Sequence, residues 1–178
     1  IGAAFAKIAL GFGCKVLAFD VVTNSKLEAL GVVYTDMDTV FKQSDIISLH
    51  CPLNEATKHL INTQSLLLMK KDVMIINTSR GALIETKSII KALKESRIGY
   101  LGIDVYEQEE KLFFKDLSAT IIQDDDIQRL ISFSNVLVTA HQAFFTNEAL
   151  TQIALTTLGN ISDLLNQKEL NQKGALLV

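Results

Sequence analysis

The sequence predicts an α/β fold in which helices cover both faces of a doubly wound parallel sheet. Short segments that are almost continuously apolar recur along the chain, as is typical of strands buried on both faces. Between them lie segments with apolar residues at three- and four-residue spacing, which indicates amphipathic helices. Strand–helix alternation of this kind favours parallel pairing with right-handed crossovers, as in Rossmann-type domains.

The individual elements follow from these two patterns. Strands are predicted at 15–20, 32–35, 45–50, 72–78, 100–105 and 136–140, and helices at 2–12, 37–43, 63–71 and 85–96. Two segments break the alternation. Residues 107–130 read as a long charged loop, and 146–167 as a long amphipathic helix capped by Thr146. The polar residues 166–173 are expected to leave the sheet domain.

Composition and charge exclude several classes of protein. The chain has 178 residues, is 48% hydrophobic and 21% charged, and carries a net charge of −3. This composition is that of a globular protein of one ordinary domain. No basic stripe and no apolar run of about 20 residues is visible, so we expect neither nucleic acid nor a membrane as a partner. Cys14 and Cys51, both in apolar segments, predict reduced thiols in a cytoplasmic protein, and no Cys/His spacing indicates a metal site.

The first twenty residues contain part of a dinucleotide-binding pattern. Gly2 opens a helix, and Asp20 ends the next predicted strand eighteen positions later. These positions fit the last glycine of the fingerprint and the acid that binds the ribose hydroxyls, which favours NAD over NADP. Alone, the two residues are weak evidence, and a helix N-terminus and a solvated strand end explain them more simply. The other glycines and the central strand would precede Ile1, so we expect an N-terminally truncated domain. The strands at 15–20 and 45–50 would then lack a shared neighbour.

Three chemically useful side chains follow successive predicted strands. Arg80 can bind a small carboxylate bidentately, His141 is a suited proton donor, and Glu109 can hold the histidine ring in one tautomer. Each alone is more simply explained as a structural residue, Arg80 in an ion pair and His141 in the core. Their shared position at strand ends favours carbonyl reduction with a nicotinamide cofactor. His50 and His59 have no comparable neighbours and are interpreted as structural or loop residues.

The motifs resemble those of the D-isomer-specific 2-hydroxyacid dehydrogenases over nearly the whole chain. The matching segments are IG, LAFD, SLHCPL, NTSRGALI, GIDVYEQE and VLVTAHQAFFT, in the family's order and spacing. Within the family, HQAFFT and LFFKDLSATIIQDDDIQRL are most similar to the fermentative D-lactate dehydrogenases of bacteria. The resemblance implies interconversion of a small 2-oxo acid and its D-2-hydroxy acid with NAD, with pyruvate and D-lactate as the first expectation.

The resemblance also implies roles for single residues. Arg80 corresponds to the substrate-binding arginine, His141 to the acid–base histidine and Glu109 to its partner. The implied cofactor-binding residues are Ile1, Gly2, Asp20, Cys51, Pro52, Thr57, Thr78, Ser79 and Asp104.

The domain organisation and the alternatives follow from the same resemblance. Residues 1–145 are expected to form the NAD-binding Rossmann domain, and 146–178 a helix and tail returning to a substrate domain. That second domain is largely absent, so the 178 residues alone are expected to be inactive. Subunits are expected to pair as a homo-oligomer through the NAD-binding domain. Two alternatives stay open: another 2-hydroxyacid or hydroxypyruvate reductase, and a non-catalytic NAD-sensing module of the corepressor type.

Overall fold

The computed structural model describes residues 1–113, 116 and 119–166. Part of the segment 112–130, and the polar tail beyond Asn166, therefore lie outside the described residues. The chain divides into two compact units, Ile1–His141 and Gln142–Val178. The predicted strands, the catalytic candidates and the cofactor-side residues all belong to the first unit.

The strands form two parallel sheets. The smaller contains β1 (Leu17–Ala18) and β2 (Val33–Tyr34), and the larger has the order β3–β4–β5–β6. Its strands are Ile46–Leu49, Val73–Asn77, Ile98–Ile103 and Val136–Val138. All pairs are parallel, which confirms the predicted fold class. β1 is much shorter than predicted because, among the described residues, only β2 pairs with it.

The helices agree with prediction except in two places. Their bounds are α1 Gly2–Gly11, α2 Ser25–Glu28, α3 Met37–Gln43, α4 Thr63–Leu68, α5 Thr86–Lys94, α6 Asp125–Ile131 and α7 Asn147–Leu165, with 3₁₀ turns at Gly81–Leu83 and Glu109–Lys111. The short α2 was not predicted, and the prediction of one loop over 107–130 was wrong where α6 forms. There Asp124 accepts a hydrogen bond from the backbone of Ile127, so the acidic run caps a helix.

The main core lies between the larger sheet and its helices. Its fully buried side chains include Ile61, Ile75, Leu83, Ile89 and Leu101. Each aliphatic side chain of this kind contributes about 1.5–3 kcal/mol through removal from water. This rigid layer carries the strand ends at which the candidate residues lie.

The smaller sheet has a minor core of its own, made by Ala6, Leu27 and Val32. As expected from the sequence, no described strand joins β1 to β3. Instead α1 packs against the end of β3. A Cβ added to Gly2 would lie 3.2 Å from the Cβ of His50, the residue that follows this strand. The rings of Phe5 and His50 also contact each other, with their centroids 5.3 Å apart. The glycine therefore allows the close helix–strand packing that the fingerprint predicts, here against the residue after β3.

The long helix α7 forms within the second unit. Thr146 caps it as predicted, since its hydroxyl accepts a hydrogen bond from the backbone of Ala149. Among the described residues, none of the helices combines the length and apolarity needed to cross a bilayer.

Candidate active site

The catalytic candidates follow three adjacent strands of the larger sheet. β4, β5 and β6 are parallel neighbours, so their carboxyl ends meet at one edge. Arg80 follows β4, Glu109 lies in the turn after β5, and His141 follows β6. Ligands of open α/β sheets bind beyond this edge.

Asn77 connects the loops at this edge. It is the last residue of β4 and is fully buried. Its side chain accepts a hydrogen bond from the backbone of Ser79 (3.0 Å) and donates to the carbonyl of Arg80 (2.9 Å). Its own carbonyl accepts from the backbone of Asp104 (2.9 Å). Asn77 thus fixes the turn that carries Arg80. Asn77 was not among the predicted site residues, although a polar residue at the end of an apolar strand is visible there in the sequence.

His141 and Glu109 form a close pair. His141 Nδ1 lies 3.0 Å from Glu109 Oε1, and both side chains are partly buried. A carboxylate oxygen can only accept, so Nδ1 carries the hydrogen and a neutral ring has its lone pair on Nε2. Glu109 Oε2 accepts from the backbone of Tyr106 (2.8 Å), and the backbone of His141 donates to the carbonyl of Asp104 (2.6 Å). His141 has φ of 53°, a conformation that non-glycine residues seldom adopt. The ring and its partner are therefore held from both strand ends.

The guanidinium of Arg80 faces solvent. Nη1 donates to the carbonyl of Ser79 (2.8 Å), and among the described residues no carboxylate pairs with it. This arrangement argues against a purely structural ion pair. The next residue, Gly81, lies against the backbone of Tyr106, which brings the Arg80 turn close to the turn that carries Glu109. The edge thus offers a cation for a small carboxylate and a histidine for proton transfer.

Several cofactor-side candidates also lie together. Burial raises the pKa of the Cys51 thiol, and the negative charge of Asp20 raises it further. The hydroxyl of Ser79 donates to the carbonyl of Cys51 (2.7 Å), which connects this region to the Arg80 turn. The hydroxyl of Thr57 donates to the carbonyl of Pro52 (2.7 Å) and holds the following turn.

The remaining cofactor-side candidates differ in how far they are buried. Asp104 is buried and accepts a hydrogen bond from the hydroxyl of Thr139. Thr78 is exposed, and Ile1 precedes the first turn of α1. The exposed Asp20 carboxylate is an acceptor of the kind that ribose hydroxyls require, and the first turn of α1 presents backbone N–H groups of the kind that bind phosphate. Within the described part of the chain, no group of His, Cys, Asp and Glu side chains could hold a metal ion.

His59 was interpreted as a structural or loop residue, and the structure gives it a carboxylate partner that the sequence did not indicate. Its Nε2 lies 2.6 Å from Glu107 Oε1, which makes a second histidine–carboxylate pair. Burial alone would raise the pKa of Glu107, but hydrogen bonds from His59 and Thr86 outweigh it and lower that pKa. The two partners are 48 residues apart in sequence, and no local pattern indicates that they pair. His50 does have the structural environment that was expected: its Nε2 lies 2.9 Å from the hydroxyl of Ser48, and burial lowers its pKa.

Comparison with known proteins is consistent with this geometry. Residues 1–143 match the model of the D-isomer specific 2-hydroxyacid dehydrogenase family, NAD binding domain. A D-lactate dehydrogenase of Escherichia coli is 53% identical over 164 residues, which is 92% of this chain and 50% of that protein.

Solved structures give the same result. The pyruvate reductase of Chlamydomonas reinhardtii superposes with a TM-score of 0.91 at 44% identity, covering 94% of this chain and 51% of that one. The D-lactate dehydrogenase from Aquifex aeolicus, complexed with NAD and lactic acid, has a TM-score of 0.88 at 37% identity, covering 94% and 51%. The chain therefore spans about half the length of the proteins it matches.

Proposed function

Because the chain belongs to the D-isomer-specific 2-hydroxyacid dehydrogenase family, we propose that the native protein containing it interconverts pyruvate and D-lactate with NAD. The observation that carries the proposal is the shared sheet edge of Arg80, Glu109 and His141, with His141 and Glu109 3.0 Å apart. The similarity to proteins named D-lactate dehydrogenase and pyruvate reductase supports this choice of substrate.

Each residue has a defined task in this reaction. The Arg80 guanidinium binds the substrate carboxylate and orients the adjacent carbonyl. His141 donates a proton from Nε2 to the carbonyl oxygen during reduction and takes it back during oxidation. Glu109 accepts the Nδ1 hydrogen, so it keeps Nε2 directed at the substrate and stabilises the charged ring. The bound nicotinamide supplies or receives the hydride.

The chain's own residues would hold NAD along the same edge. Asp20 would accept hydrogen bonds from the ribose hydroxyls, and Gly2 would open the helix beside the phosphates. Cys51, Pro52 and Thr57 would line the adenosine side. Ile1, Thr78, Ser79 and Asp104 complete the proposed contacts.

The test is a substrate panel with the purified native protein. Pyruvate, hydroxypyruvate and glyoxylate are each supplied with NADH, and the chirality of the product is determined. The proposal requires the highest kcat/KM with pyruvate and a D-lactate product. A preference for hydroxypyruvate would assign a different substrate within the family, and absence of turnover with every 2-oxo acid would contradict the proposed activity.

We also propose that the protein is a homo-oligomer paired through the unit that binds NAD. Size-exclusion chromatography with light scattering tests this directly, and a monomeric mass at micromolar concentration would contradict it.

A further inference from the structure

The second histidine–carboxylate pair lies on the same turn as the first. Glu107 Oε1 contacts His59 Nε2, while Glu107 Oε2 accepts from the backbone N–H (3.1 Å) and the hydroxyl (2.8 Å) of Thr86, the first residue of α5. One carboxylate thus receives three donors from two other segments of the chain. Both members of the pair are largely covered, with His59 32% and Glu107 24% exposed.

His59 is itself fixed to the segment that follows Arg80. Its backbone N–H donates to the carbonyl of Ala82 (2.8 Å), and two residues later Ile61 forms a parallel bridge with Ile84. His59 has φ of 52°, so its backbone is held in a conformation that this residue type seldom adopts. The imidazole is therefore a fixed donor, and the Arg80–Ala82 turn contacts both the backbone of His59 and the backbone of the Glu107 turn.

Glu107 in turn determines where Glu109 lies. Only one residue separates them, and the turn is tight, since the backbone of Glu109 donates to the carbonyl of Tyr106 (3.1 Å). Glu109 then reaches back to the backbone of Tyr106 with one oxygen and to His141 with the other. A displacement of Glu107 moves the backbone that carries this carboxylate.

We propose that His59 and Glu107 are positioning residues that set the geometry between the Arg80 turn and the Glu109–His141 pair. This inference rests on the proposed function, because its catalytic readout is pyruvate reduction. Neither residue touches the substrate in this scheme. They act by holding two loops, from β4 and from β5, in register across the sheet edge.

Glu107→Gln is the most direct test. Glutamine offers one acceptor oxygen where three donors converge, so the turn must rearrange. We expect kcat for pyruvate reduction to fall by about 10- to 100-fold, as for small misplacements of reacting groups, while KM for NADH changes little. His59→Ala should act in the same way, and His59→Gln, which keeps a donor, should recover part of the loss. The double variant should be no worse than the more affected single variant, because the two residues act as a unit.

Arg97→Gln is the matched control. Arg97 donates to the carbonyls of Leu66, Leu67 and Met69 just before β5, at the opposite end of the sheet from the site. Its loss should lower the melting temperature and leave kcat unchanged. If the Glu107 and His59 variants merely destabilise the protein in the same way, with wild-type kcat, the positioning role is wrong.

A second measurement does not depend on turnover. The Nδ1 hydrogen of His141, shared with Glu109, should give a low-field proton resonance in the native protein. Glu107→Gln should shift or broaden that resonance, whereas Arg97→Gln should leave it in place. An unchanged resonance in folded Glu107→Gln overturns the inference, whether or not the wild-type protein reduces pyruvate. If the resonance shifts but the wild-type protein does not reduce pyruvate, only the proposed function is overturned.

Discussion

Substitution of Gly81 by alanine should separate the two catalytic turns. A Cβ built on Gly81 would lie 2.1 Å from the carbonyl carbon and oxygen of Tyr106, and 2.5 Å from the backbone nitrogen of Glu107. Ordinary contacts of a Cβ begin near 3.4 Å, so the backbones must move apart by about 1.3 Å. The obstacle is main chain on both sides, so a change of side-chain rotamer cannot relieve it.

The displacement has two measurable consequences. Forcing extra volume into a packed site costs about 1–3 kcal/mol, which lowers the melting temperature by several degrees for a unit of this size. A movement of about 1 Å between Arg80 and Glu109 should also reduce kcat/KM for pyruvate by about 10²-fold. NADH affinity should change less, since several cofactor-side candidates, among them Asp20 and Cys51, lie on other segments.

The assay combines a thermal melt with steady-state kinetics on the native protein. Gly11→Ala is the control, because a Cβ at Gly11 meets nothing within 4 Å and its backbone is helical. That variant should keep its activity and gain up to about 1 kcal/mol of stability. A folded Gly81→Ala protein with wild-type kcat/KM and melting temperature would falsify the assignment of a backbone clash between the turns.

Four further outcomes follow from the same geometry. Arg80→Lys should raise KM for pyruvate strongly and leave NADH affinity nearly intact, because lysine keeps the charge and loses the planar fork; a near-normal KM would contradict the assignment. Asp20→Ala should narrow the preference for NADH over NADPH, since like charge no longer opposes a 2′-phosphate; an unchanged ratio of kcat/KM values counts against that role. His141→Ala should lower turnover in both directions by about 10²–10⁴-fold in a protein that still melts cooperatively, whereas a structural histidine predicts lost stability with activity retained. Because the pKa of Glu107 is lowered, its ionised carboxylate stabilises the folded protein fully above the ordinary pKa of 4.5, and this contribution is lost as pH falls through the lowered pKa. In urea unfolding, the difference in free energy of unfolding between wild type and Glu107→Gln should shrink over that range. A difference that is independent of pH would be evidence against the ionised pair.

The strands of the larger sheet could be predicted because one local property, a run of mostly apolar residues, marks each of them. β4 carries an unbroken apolar run, residues 73–76, with polar residues at both ends, and burial on both faces selects that pattern directly. In β3 only Ser48 interrupts a similar run. β1 was overestimated for the same reason. The predicted strand covers six residues, 15–20, but hydrogen bonding from one side sustains only two of them as strand.

The errors arose where capping decides the structure. The run Asp124–Asp126 looks like solvated loop, because three adjacent acids repel one another and favour water. In the structure the first of them caps α6, and it also accepts a hydrogen bond from the hydroxyl of the buried Tyr106. Ile127 and Leu130 supply the buried face of that helix. A single turn of spacing is too short to distinguish such a helix from a loop with two apolar residues.

The residues of the candidate site also fall into two groups, those whose position the sequence predicts and those that only the folded structure identifies. The shared sheet edge of Arg80 and His141 could be predicted from the sequence, because parallel strands bring the residues that follow them to one edge. Asn77, His59 and Glu107 could not, since their importance lies in which distant backbone or side chain they meet. The residues proposed to perform chemistry can be recognised in the sequence by their position after strands, whereas the residues that hold their turns in place are identified only by the folded contacts. The 2.6 Å contact between His59 and Glu107 belongs to this second class, and in the proposed scheme the positions of the Arg80 and Glu109 turns depend on it.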